Sequence, residues 1–152
     1  MDLSPTITEV SYSDERAWEG SDHGKDCTRS ITLDVPAFEA QGLVLTDQAG
    51  VKRVQSGTPV VKSGTKYIPA YTGTVVASAD NDTWVQATAA GHLEETVIVK
   101  SVAAGATAGA SLRWHGVVIT AKIPRPLETS GKFDTDAPAF DTTKGAKHVL
   151  YV

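Results

Sequence analysis

Four histidines and one cysteine are the side chains best suited to catalysis or metal ligation: His23, His92, His115, His148 and Cys27. Zinc fingers and zincins place their ligands roughly two to five positions apart, so that one turn or one helix face presents them together. No two of these histidines stand at such a spacing. They read as structural residues, and His115, next to Trp114, reads as a hydrogen-bonded strand histidine. Cys27 has no second cysteine to pair with and reads as a small buried or half-buried side chain.

Acidic groups give no better constellation. Asp80-Asn81-Asp82 has the oxygen ligands of a calcium loop, but counting Asp80 as position one puts Trp84 at five, Val85 at six and Gly91 at twelve. An EF-hand needs an oxygen ligand, a glycine and a glutamate there, so a β-turn is expected. Glu94 and Glu95 are adjacent, and neighbours in a strand point to opposite faces. They cannot share an acid/base site and read as a solvated edge. Phosphate loops, dinucleotide loops and nucleophile elbows have no counterpart in the chain. The expectation is a protein without catalysis, metal or cofactor.

The elements that must carry these residues are short and β-rich. The chain has 152 residues, enough for one domain with a real core, and Gly, Thr, Val and Ala recur through it. Arg29 to Val35 alternates Ile31, Leu33 and Val35 with Ser30, Thr32 and Asp34, the period of a half-buried strand. Pro36 to Gln41 predicts a short helical turn closed by Gly42. From Gly42 to Pro126, short β segments alternate with Gly and Pro turns, which predicts a mainly β, compact clip-like or barrel-like domain with little helix. Glu95–Val99 is expected as a strong strand. Ser111–Ile123 is expected as the longest one, bent at Gly116. Ala103–Ala110 reads as a loop of small residues, and His148–Val152 as a terminal strand that needs an edge to pair with.

Charge marks a second organisation. Residues 1–27 carry seven acidic side chains against Arg16 and Lys25, while the rest of the chain is near balance. An acidic end is a poor match for nucleic acid. No stretch approaches the ~18 apolar residues of a membrane helix, and the start lacks a basic, apolar export signal. The chain is therefore expected neither to bind a membrane nor to be exported, and to be made in the cytoplasm. The boundaries expected are an N-terminal arm over 1–28, a β domain over 29–127 and a tail with a terminal strand over 128–152.

One long stretch carries a pattern in order. It begins with Gly57-Thr58-Pro59-Val60 and Gly64-Thr65-Lys66-Tyr67-Ile68-Pro69. It continues with Ala90-Gly91-His92-Leu93 and closes with Gly116-Val117-Val118-Ile119-Thr120-Ala121-Lys122-Ile123-Pro124. Together with its flanks, from Leu43 to Pro124, this covers over half of the chain. It resembles the head-decoration proteins of tailed bacteriophages, of the phage lambda head protein D type. Residues 70–88 are longer than a compact member needs, and the acidic arm and the tail have no counterpart in it.

The resemblance implies a virion protein on the outer capsid surface, bound to the major capsid protein as a homotrimer at local threefold sites and cementing the shell. It implies a capsid-gripping arm, for which Ile7, Val10, Tyr12 and Trp18 are the candidates. Trp84, Trp114, Leu150 and Tyr151 are candidates for subunit or capsid contact. Two other roles fit the composition: a tail or fibre-base module, and a carbohydrate-binding module whose tryptophans would meet a host-surface glycan.

Overall fold

The computed structural model describes residues 16–74, 83–125 and 139–152. Strand β1 (Thr28–Asp34) is followed by helix α1 (Val35–Ala40) and the short strands β2 (Val44–Thr46) and β3 (Lys52–Val54). Then come β4 (Pro59–Ser63), β5 (Lys66–Pro69), β6 (Tyr71–Thr74), β7 (Thr83–Gln86), β8 (Gly91–Leu93) and β9 (Val97–Val99). The chain continues through β10 (Thr107–Arg113), β11 (His115–Val118) and two single 3-10 turns to β12 (His148–Tyr151). The expectation of a mainly β fold holds. Five strands close a barrel in the order β1-β10-β8-β4-β5.

Packing explains how so few strands close. Ile31 and Leu33 of β1 point inward and face Ala110 and Ala108 of β10 across the antiparallel ladder. Bulky side chains opposite small ones fill the interior without pushing the strands apart. The small residues read as loop are thus partly strand: the turn covers Ala103–Ala106, and Thr107–Ala110 belong to β10. Strands β4 and β5 join through Gly64-Thr65, and Gly64 takes the positive φ (61°) that a two-residue hairpin asks of its first central position. The ring is completed by one parallel pairing, Leu33 with Tyr67.

Helix α1 plugs one end of the interior. Pro36 sits in its first turn, where a missing N–H costs nothing, and Phe38 is fully buried. Gly42 follows with φ 65°, the left-handed cap expected from the sequence. Val54, Val97 and Val99, from the three-stranded sheet β2-β3-β9, pack on the same core. Only Val97–Val99 of the predicted Glu95–Val99 strand pairs, because Glu94 and the residues beside it turn toward other partners.

A second core lies outside the barrel. It holds Trp18, Ala70, Tyr71, Ala89, Val118, Ile123 and Phe140. The predicted Ser111–Ile123 strand is in fact broken at Trp114: β10 stays in the barrel, and β11 leaves it to pair in parallel with β12. Gly116 sits within β11 at φ 140°, where a β-carbon would crowd the His23 carbonyl. The terminal strand therefore finds its edge within its own chain.

Residues 16–27, read from sequence as part of an arm, are seated on this second core. Glu19 bridges to Val118, and the Gly20 N–H donates to the Val117 carbonyl (2.9 Å). The arm candidates Ile7, Val10 and Tyr12 lie in residues 1–15, outside the described residues.

Candidate functional site

The polar residues most enclosed by the fold meet where the barrel touches the second core. His92 lies in β8, between Arg113 of β10 and Pro59 of β4. All three residues of β8 are buried, because one face meets the barrel interior and the other meets the second core. Alternation fails here for that reason.

The His92 ring is stacked on Trp18, with centroids 5.9 Å apart and planes 22° apart, and it also touches Phe140 and Tyr151. Its Nδ1 lies 2.9 Å from the Gly57 carbonyl, which can only accept, so Nδ1 carries the proton. Its Nε2 is then an acceptor, and the Tyr151 hydroxyl donates to it at 2.9 Å. The same hydroxyl accepts from the Ala146 N–H at 2.8 Å. Every donor in this Ala146–Tyr151–His92–Gly57 relay finds an acceptor, with His92 neutral. Burial pushes the His92 pKa down to about 4, the hydrogen bond to Gly57 opposes this, and the nearby Arg113 charge adds to it. Burial likewise raises the Tyr151 hydroxyl to about 12. With both nitrogens engaged, His92 has no lone pair free for a metal or for a substrate proton.

Beside it, Arg113 is fully buried and grips Glu94 with two nitrogens: Nη2 to Oε1 at 2.8 Å and Nε to Oε2 at 2.6 Å. The Nε contact is close but not aligned as a hydrogen bond, so charge holds it. Glu19 takes a second contact from Nη2 at 3.3 Å, and Arg16 bridges Glu19 and Glu94 at 3.2 and 2.9 Å. The Arg113 guanidinium carbon stands 5.1 Å from the centre of the Trp18 ring, within cation–π range. Two arginines, one fully buried and one part-exposed, thus balance two carboxylates, with Lys25 4.0 Å from Glu19 at the outer side. Glu94 is not a solvated edge residue but is buried in the bend after β8, and of the pair only Glu95 is exposed.

Gly57 makes the site possible. It has φ 81°, and a β-carbon there would overlap the Trp18 indole. The Trp18 Nε1–H reaches Ser56 Oγ at 3.3 Å. Trp18 was expected to face a partner, but it is 1% exposed and belongs to the core. Tyr151 is likewise engaged within its own chain. Leu150 points out and is 62% exposed. Trp84 is placed by its backbone alone, opposite Gly73 in the β6–β7 ladder. Trp114 is half-buried and packs edge-on against His115 and His148.

His115 differs from expectation, because its buried Nδ1 has no hydrogen-bond partner. Its ring leans on His23 at 4.9 Å. Histidines scattered in sequence are therefore neighbours in space, yet no group of three potential ligands converges among the described residues. The Asp80-Asn81-Asp82 turn lies outside them.

Sequence reasoning missed His92, Arg113 and Glu94. A signal was present in Gly91-His92-Leu93 and Leu112-Arg113, where a polar residue adjoins an apolar strand residue. It is legible only once both faces of those strands are known to be covered. No protein-family model, curated protein or solved structure matches this chain.

Proposed function

We propose that this protein is a structural component of a phage virion that binds the outer capsid surface as a trimer and stabilises the mature shell. The observation that supports this reading is where the resembling motifs fall. Gly57-Thr58-Pro59-Val60 leads into β4, Gly64–Pro69 forms the hairpin into β5, and Ala90–Leu93 carries β8. These three strands are consecutive neighbours in the barrel wall, with Val60 paired to both Pro69 and Gly91. Three of the four motifs thus share one piece of the barrel wall, while the closing motif over residues 116–124 lies in β11 and the turn after it, outside the barrel.

The chemistry of the enclosed site agrees with a scaffold. Its ion pairs and hydrogen bonds are spent on joining segments of one chain. A cementing protein needs no reaction: whatever binds the intact shell and not its disrupted form stabilises it by mass action, and trimeric seating multiplies the effect. Residues 1–15, with Ile7, Val10 and Tyr12, are the proposed gripping segment, which would add to an exposed edge of the capsid protein.

The test is deletion of residues 1–15, with Arg16 and Trp18 kept. The shortened protein should retain its melting transition and fail to co-sediment with expanded, undecorated heads that the full chain saturates. Unchanged binding would remove the arm from the proposal.

A further inference from the structure

We propose that the His92–Tyr151 contact is an acid-released latch, which holds the C-terminal strand on the domain at neutral pH and lets it open, barrel intact, on acidification. The latch joins the most deeply buried histidine of the described residues to the penultimate residue of the chain. Strand β12 pairs with β11 along one edge, and among the described residues no strand pairs with its other edge. Its side chains alternate between exposed and half-buried, so the core holds it through Tyr151 and its neighbour Val149.

The Tyr151 hydroxyl makes two of the bonds that fix this end, to His92 Nε2 and from the Ala146 N–H. Protonation turns Nε2 from acceptor into donor. The Tyr151 hydroxyl then has no acceptor on the ring, and a cation is left fully buried beside Arg113. Opening of β12 would remove Tyr151 from over the ring and admit water to it. His92 takes part in the barrel ladders through its backbone, opposite Arg113 and Pro59, and meets Tyr151 through its side chain alone.

The charged groups around the ring are few. Arg113 from β10 disfavours a second cation. Glu94 and Glu19 are both engaged by Arg113 and Arg16. On the moving side stand Tyr151 itself, His148 opposite His115 in the ladder, and Asp141, Lys144 and Lys147 ahead of the strand.

The test is amide hydrogen exchange on the full chain, read as protection factors between pH 7.5 and 4.5. Because the opened state exposes an ordinary imidazole, protection of Val149–Tyr151 should fall by about fiftyfold while β4 and β5 keep theirs. His92→Gln should flatten the dependence, and His148→Gln should preserve it. If His92→Gln does not fold, nitrogen-15 shifts of the His92 ring in the unaltered protein serve instead. They should report the Nδ1-protonated tautomer at pH 7.5 and a protonation that tracks the loss of β12 protection. Flat protection down to pH 4.5, equal loss in β12 and the barrel, or a dependence that survives His92→Gln would overturn the latch.

Discussion

At the scale of single residues, stability is concentrated in side chains that look polar or exposed in the sequence. Arg113→Met should cost about 3 kcal/mol, because it takes the two-nitrogen grip away from the buried Glu94 carboxylate and leaves only the part-exposed Arg16 to balance it. Urea denaturation would measure it. Adding Glu94→Gln to that variant should recover part of the loss, since the burden is a buried charge left with a single cation and not the missing contact alone. Trp18→Ala should cost a similar ~3–5 kcal/mol through the cavity left between Gly57 and His92. A partner-facing tryptophan would cost almost nothing in the free protein.

His92 makes one contribution to the pH dependence of global stability. Its folded pKa, about 4, lies below the ordinary 6.5, so the unfolded chain takes up the proton first. Its contribution is complete above about pH 6.5, shrinks as the pH falls from there toward 4, and is constant below. Over that window it amounts to about 3 kcal/mol. Denaturant midpoints at pH 7 and pH 4.5 should differ accordingly, and His92→Gln should reduce the difference.

At the scale of elements, local conformation and close approach separate cleanly in two glycines. Gly50 and Gly57 have nearly the same φ, 79° and 81°, but a β-carbon on Gly50 meets nothing while one on Gly57 overlaps Trp18. Gly50→Ala should cost roughly 1 kcal/mol, the left-handed backbone penalty alone. Gly57→Ala should cost several times more, and thermal melts of the two variants would show the gap.

The same contrast shows what was legible beforehand. The β1 strand, the α1 turn with its Gly42 cap and the hairpin at Gly64 rest on local rules, and those rules hold where they were applied. The break at Trp114, the burial of Trp18 and the pairing of β12 depend on contacts across dozens of residues. Period-2 alternation assumes one dry face. Strand β8 and the end of β10 have two, so His92 and Arg113 are hidden from it. The mainly β class and these local elements were readable, and none of the site.

At the scale of the whole molecule, the described chain is a barrel joined to a smaller aromatic core by one polar site. Both chain ends run through that junction: Trp18 and Glu19 from one side, Phe140 and Tyr151 from the other. Under the proposed cementing role such a plan is useful, because force applied to either of these segments is passed to the buried polar site between the two cores. Exposed Leu150, Val152 and Ile98 remain on the outside, available to neighbours.

The most direct measurement is cryo-electron microscopy of expanded, undecorated phage heads mixed with the purified protein. The capsid role predicts trimeric density at the local threefold sites, with residues 1–15 running onto adjacent capsid subunits. Bare shells at saturating protein would contradict it.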